Sequence, residues 1–348
     1  MKPILSIQLL RFIAAFLVVL THFSSVQKYN ESSCSIIFKF ISGFGQSGVD
    51  IFFVISGYIM YLKISTMVFG YSSSLNFIVN RIKRIIPLYW FFTLITILIY
   101  QFRGESFSIG QVLSSLFLLP STNAIGEHVP ILVVGWTLIL EFYFYLLISL
   151  TILIKTNSAT IRISIISMFF LVISVTSTKL SYDTSFMHYI NNSLLVEFIL
   201  GLICGHLVSK NYNVSARLLI SILVVSIIAF LLPLVFSRDG IDRVISWGIP
   251  TFIIIYSMVT LENRGVVTIP KSFVKLGDSS YSLYLSHFFT LNIIGMIWSK
   301  YFHYIAADFV YVLAPVVSMY VAILIYDLIE KPLVSYTHRL KFKKSDGV

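Results

Sequence analysis

The sequence predicts an all-α protein, a polytopic transmembrane bundle of about ten helices with both termini in the cytoplasm and no separate soluble domain. Three observations predict it. Of 348 residues, 57% are hydrophobic and only 11% charged, against about a quarter charged in a soluble domain. Too few polar side chains exist to coat a water-facing surface. Apolar runs of about 18–22 residues recur from end to end, each long enough as a helix to cross a hydrocarbon core of about 30 Å. The basic residues fall in short connections between those runs, unequally on the two sides. The alternating pattern of a membrane β-barrel is absent.

The first run, residues 7–27, follows Lys2 and resembles a secretory leader at its start. It is long, however, Arg11 interrupts it, no small-residue cleavage pattern follows, and further spans come after it. It is therefore read as a retained first helix. The other spans are predicted at 47–64, 85–101, 131–154, 160–177, 192–209, 215–236, 244–261, 279–298 and 307–329. The stretch 109–120 is too short to cross and is read as interfacial or re-entrant. No internal repeat or low-complexity linker breaks the series. Residues 1–335 are expected to form one transmembrane domain and 336–348 a basic cytoplasmic tail, polar and disordered from Lys341 to Val348.

Loop charge supports this segmentation. Seventeen Lys and Arg residues fall on one side, among them Lys63, Arg81, Lys83, Arg84, Arg162 and Lys331; seven fall on the other, and Arg11 lies inside a span. The richer side is cytoplasmic by the positive-inside rule, and termini on one side require an even number of spans. The net charge of +10 is thus accounted for by topology, and no groove-binding patch for nucleic acid is present. The partner this composition demands is the lipid bilayer. Cys34 lies in a loop and Cys204 within a helix, so neither a disulfide nor a cysteine–histidine metal pair is expected, and no metal site is predicted.

Ionisable groups inside spans each cost at least a few kcal/mol near the bilayer centre and normally face the bundle interior. Arg11, His22, Asp50, Glu141, Glu197, His206, His287 and Asp327 are the clearest. Arg11 and His22 are eleven residues apart, which places them on nearly one helix face about 16 Å apart. They are either interfacial side chains or the two ends of a polar channel, one holding an anion and the other doing acid/base work. Asp50 opens the second span, where the helix dipole favours it. Glu141 is buried ten residues into the fourth span and needs a partner, for which a histidine or arginine of another helix is the candidate. Arg81 and Arg84 precede the third span as either a membrane anchor or a phosphate clamp, and spacing alone does not choose. His287 sits in Tyr281–His287, with Asp278 and Ser279 as capping residues for that helix. Glu197, His206 and Asp327 are read as structural.

These residues fall in ordered stretches that resemble the acyltransferase 3 family of bacterial membrane acyltransferases. Leu10–Ala15 through His22 is similar to the family's first-helix Arg-to-His signature, and Gly48–Tyr58 to its most recognisable segment. Arg81-Ile82-Lys83-Arg84 followed by Pro87, Tyr89 and Trp90 resembles its Arg-x-x-Arg segment. Trp136–Tyr145, Ser280–His287 and Glu330-Lys331-Pro332 resemble three more. Two positions depart: Phe142 stands where the family has a second acidic residue beside Glu141, and Thr137 replaces a serine. The chain ends soon after the tenth span, so the extracytoplasmic hydrolase-like domain of some relatives is expected to be absent.

The resemblance implies an enzyme of the bacterial inner membrane that O-acylates surface or secreted glycans, usually with acetyl from cytoplasmic acetyl-CoA as co-substrate and no permanently bound cofactor. It implies that Arg81 and Arg84 hold CoA phosphates and that Arg11 lines the donor path. His22 would act on the sugar hydroxyl or the acyl group, Glu141 or Asp50 would orient or charge-balance it, and His287 and Trp136 would support. The acceptor would be a polysaccharide or its lipid-linked precursor. A transporter or flippase for a polar or lipid-linked substrate is the rival, since intramembrane Arg, His and Glu suit it equally.

Overall fold

In the computed structural model, a helix occupies each apolar segment predicted to span, and no strand occurs among the described residues. The structure describes residues 3–23, 26, 41, 43–123, 126–177, 184–232 and 240–339. Cys34, the loop cations Lys28, Lys39, Lys179 and Arg238, and the tail from Leu340 lie outside them. The helices are α1 (Leu5–Thr21), α2 (Ser47–Ile64), α3 (Tyr71–Phe102), α4 (Ile109–Leu116), α5 (Trp136–Leu153), α6 (Ala159–Ser177) and α7 (Ser185–Ile190). They continue as α8 (Leu194–Ser209), α9 (Ala216–Leu231), α10 (Ile249–Asn263), α11 (Ser272–Asp278), α12 (Ser280–Tyr301), α13 (Ala307–Ile325) and α14 (Lys331–Arg339). π-helical turns at Val244–Gly248 and Tyr326–Glu330 lead into α10 and α14.

Among the described residues, six helical stretches are long and apolar enough to cross a membrane: Gly43–Ile64, Tyr71–Phe102, Val133–Leu153, Ser185–Ser209, Val244–Asn263 and Ala307–Arg339. Leu5–Thr21, Ala159–Phe170 and Ala216–Leu231 are apolar but shorter. Leu98, Val225, Val312 and Val316 stand exposed on the outside of the bundle. Such a surface is costly in water and costs nothing against acyl chains.

The third span differs most from expectation. Residues 85–101 are only its later part, because α3 runs 32 residues, about 48 Å at 1.5 Å per residue. It begins after Gly70, whose φ of 136° suits only a residue without a Cβ. Arg81 and Arg84 therefore stand mid-helix, not ahead of one. Pro87 lies inside the same helix and cannot donate to the carbonyl of Lys83. Thr337 Oγ1 supplies the missing bond, reaching Lys83 O at 3.2 Å. That contact ties α14 to α3 and orders residues through Arg339, inside the stretch expected to be tail.

Helix α2 is central. A Cβ on Gly57 would land on the Phe198 carbonyl of α8, and one on Gly201 would land on the Val54 carbonyl of α2. Gly201 and Gly205 are spaced as in a Gly-x-x-x-Gly contact, which lets two backbones approach closely in lipid. The amino end of α1 is held from afar, because Glu262 on α10 accepts from Leu5 N at 2.7 Å and Ser6 N at 2.8 Å. Those are two of the orphan donors that every helix start carries. Arg162, counted above only as a loop cation, is fully buried. It donates to Ile64 O at 2.9 Å, Met67 O at 3.1 Å and Thr156 O at 2.7 Å, closing the end of α2. Asp278 and Ser279 do not cap α12: Asp278 accepts from Gln8 Nε2 at 3.0 Å, and Ser279 donates to Leu276 O at 3.1 Å. Asp327 pairs with Lys275 at 2.8 Å.

Candidate active site

Along α2, Val49, Phe52, Phe53, Ser56, Ile59, Met60 and Lys63 recur at three- and four-residue steps, which puts them on one helix face. They form one wall of a cavity of about 340 Å³. From Val49 to Lys63 that wall rises about 21 Å, so the cavity is long and narrow. The other walls are Thr137, Leu138, Glu141 and Tyr145 of α5, Arg81, Arg84 and Ile85 of α3, Ser280, Tyr281 and Tyr284 of α12, and Arg11 of α1.

The structure thus brings Arg11, Arg81 and Arg84 together, with Lys63 as a fourth cation. The Arg81 guanidinium lies 5.8 Å from the ring centre of Tyr145 and 6.0 Å from that of Phe77, an orientation that cation–π attraction favours. Arg11 donates to Gln8 Oε1 at 3.3 Å. Gln8 is fixed in turn by the hydrogen bond its side-chain Nε2 donates to Asp278 Oδ1. Asp278, Glu330 and Glu141 attract the Arg11 charge while Arg84 repels it. Glu330, the last residue of the π-helical turn Tyr326–Glu330, accepts from Ser282 Oγ at 2.6 Å.

Glu141 is on the cavity wall, but its bonding partners are not the cation or imidazole expected. Ser56 Oγ donates to Glu141 Oε1 at 2.9 Å, and Tyr145 OH donates to the same oxygen over a short contact. Tyr145 is one turn further along α5, where an i, i+4 partner meets the carboxylate.

His22 and His287 meet at the far side of the bundle from Lys63. His22 ends α1, with Nδ1 2.9 Å from Val18 O and 3.2 Å from Nε2 of His287. The Nδ1 of His287 lies 3.1 Å from Leu283 O. A carbonyl only accepts, so each Nδ1 carries the hydrogen of its neutral ring. Nε2 of His287 then accepts from His22, and Nε2 of His22 is left with a lone pair and no proton. That is the state a general base needs. Neither imidazole lines the cavity. Between them and it stand two aromatic rings: Tyr284, 6.2 Å from the His287 ring, and Phe52, 5.9 Å from Tyr284.

Asp50 is elsewhere. It is wholly buried, accepts two hydrogen bonds from Arg243, each 2.8 Å, and has Glu197 of α8 as its acidic neighbour. It is not among the cavity residues, and the polar contacts of His22 are with Val18 and His287. Trp136 opens α5 and packs, half-buried, against the main hydrophobic core. Sequence reasoning missed Lys63, Ser56, Tyr145, Tyr281 and Tyr284. Ser56, Tyr145, Tyr281 and Tyr284 lie inside the very stretches singled out, one or two turns from residues that were named. Lys63 was counted as a loop cation.

Comparison with known proteins adds the following. The acyltransferase 3 family model, described as an acyltransferase domain, matches residues 4–327. The exopolysaccharide production protein ExoZ of Rhizobium meliloti is 29% identical over 255 residues, covering 72% of this chain and 78% of ExoZ. The O-acetyltransferase OatA of Staphylococcus aureus is 27% identical over 331 residues, covering 85% of this chain and 53% of OatA. The chain therefore spans about half the length of OatA. No solved structure matches it.

Proposed function

The chain belongs to the acyltransferase 3 family, and from that premise we propose that it moves an acetyl group from cytoplasmic acetyl-CoA to a sugar hydroxyl of a bacterial surface polysaccharide or its lipid-linked precursor. Membership makes it an acyltransferase, which the transporter reading does not accommodate. The acetyl group is suggested by OatA, an O-acetyltransferase, and the glycan acceptor by ExoZ, a protein of exopolysaccharide production. In this reading the chain is a ten-span protein of the inner membrane with both termini in the cytoplasm, supported by the seventeen-to-seven division of loop cations. Residues 1–335 are its single domain and 336–348 its basic tail, whose start to Arg339 is helical and bonded to α3.

One observation carries the proposal: an elongated cavity has four cations at or near one end and, behind its aromatic wall, a histidine whose Nε2 is unprotonated and has no hydrogen-bond partner among the described residues. Arg81, Arg84 and Lys63 hold the phosphates of CoA. Guanidinium groups suit them by matching phosphate oxygens two at a time. Arg11 lies deeper and lines the path of the acyl arm. Glu141, held by Ser56 and Tyr145, places a fixed negative charge midway and opposes the cations around it. At the other end Nε2 of His22 takes the proton of the sugar hydroxyl, and the oxygen attacks the acetyl carbonyl. The carbon–sulfur bond breaks, and CoA leaves as a thiolate that takes up a proton. His287 holds His22 in the tautomer this requires. Asp50, spent on Arg243, anchors α2, and Trp136 packs the start of α5.

The test is the purified full-length protein in lipid vesicles supplied with radiolabelled acetyl-CoA, together with mass spectrometry of surface glycans from cells with and without the gene. The expected result is consumption of the label and loss of acetyl esters from one glycan when the gene is absent. Intact acetyl-CoA and unchanged glycans would overturn the proposal.

A further inference from the structure

The rings of Phe52 and Tyr284 line the cavity on the side of the histidine pair, and each is held by several neighbours. Phe52 packs against all three buried hydrophobic clusters of the molecule: that of Phe53 and Leu138, that of Ile51 and Ile55, and that of Ala15 and Val19. Tyr284 is fixed at its hydroxyl, which donates to Val134 O at 2.8 Å and lies 2.7 Å from Thr137 Oγ1. The two rings meet edge to face, with centres 5.9 Å apart. A wall clamped on several sides behaves as a packed interior and resists added volume.

Position in the cavity then gives this wall a role. If the cations Lys63, Arg81 and Arg84 take the phosphates, the thioester lies toward the opposite end of the α2 face, where Phe52 and Val49 stand about one and about two turns beyond Ser56. The acyl chain is the last part of the donor and meets that wall. We propose that Phe52, braced by Tyr284, sets the length of the acyl group, admitting two-carbon chains and excluding longer ones. The proposal rests on the assignment of the cavity to an acyl-CoA donor.

The experiment is equilibrium binding of CoA, acetyl-CoA, butyryl-CoA and hexanoyl-CoA to the purified full chain in lipid nanodiscs, wild type against Phe52→Ala and Phe52→Leu. Wild type is expected to bind acetyl-CoA at least about tenfold better than hexanoyl-CoA, the low end of what one methylene decides in an apolar pocket. Phe52→Ala is expected to abolish or invert that ratio, and Phe52→Leu to fall between, each ratio being taken within one variant. Saturable CoA binding also reports that the variants are folded. Should Phe52→Ala fail to accumulate, the Leu variant and Tyr284→Phe, which releases the ring from Val134 and Thr137, carry the test alone. An unaltered chain-length ratio in variants that bind CoA normally would overturn the inference and leave the donor assignment standing. Failure of wild type to bind CoA at all would overturn the donor assignment and this inference with it.

Discussion

Nε2 of His287 and Nδ1 of His22 lie 3.2 Å apart, and the bond between them, together with the carbonyls of Val18 and Leu283, occupies every ring nitrogen of the pair except the unprotonated Nε2 of His22. The two residues are 265 positions apart in sequence, so the state of the proposed base depends on how α1 and α12 pack.

Removing the base and removing its support therefore have different consequences. His22→Ala is expected to lower acetyl transfer by about 10²–10⁴-fold, the usual contribution of a general acid–base group, with normal protein level in the membrane. His287→Gln retains a side-chain oxygen that can accept from His22 and is expected to keep more activity than His287→Ala. Transfer rates from purified variants check both; equal rates for the Gln and Ala variants would remove the positioning role of His287.

The arginines of α3 act on the donor. Replacing Arg81 and Arg84 together by Ala is expected to raise KM for acetyl-CoA by about 10- to 100-fold, given that charge-assisted hydrogen bonds are each worth about 1.5–3 kcal/mol. Apparent affinity for the acceptor stays nearly constant. Lys63→Ala, removing one charge, acts in the same direction and less. Steady-state kinetics with each substrate varied in turn separates this from general damage, which would raise both constants.

How far these sites were legible in the sequence follows from the length scale of each signal. An apolar run announces a span by itself, and each predicted run is helical. Arg11, Arg81 and Arg84 were legible as unusual charges, and the cavity gathers them. The extension of α3 back to Tyr71 was hidden because Ser72 to Arg84 is polar enough to break the apolar pattern. Contacts between helices were not legible at all. Whether Glu141 meets His22 or Ser56, and whether Asp50 meets His22 or Arg243, depends on helix rotation and on a π-helical turn at Val244–Gly248 that no local pattern marks. The cap on α1 likewise comes from Glu262, 257 positions away from Leu5.

That cap gives a stability prediction free of catalysis. Glu262→Ala strips the acceptor from Leu5 N, Ser6 N and Ser6 Oγ. The loss of a helix N-cap is typically about 1 kcal/mol, and up to about 2. The variant is expected to melt several degrees lower in a detergent-solution thermal scan, while kcat of the folded fraction at low temperature matches wild type. An unchanged melting temperature would show that water replaces the carboxylate at no cost.

The pair formed by Asp50 and Arg243 offers the sharpest separation of anchor from catalyst. Breaking a buried ion pair by removing one partner costs about 3–5 kcal/mol, because the other charge stays buried without compensation. Asp50 is wholly buried, and its two bonds to Arg243 both measure 2.8 Å. Asp50→Asn and Arg243→Gln are therefore each expected to accumulate poorly in the membrane, whereas the double variant, which leaves neither charge of the pair without the other, recovers part of the loss. A catalytic aspartate behaves otherwise: Asp50→Asn would then reach wild-type levels and be inactive, and the double variant would gain nothing. Quantifying the membrane-inserted protein of all three variants beside their transfer rate decides between the two, since only an anchor makes abundance, and not turnover per molecule, follow the state of the pair.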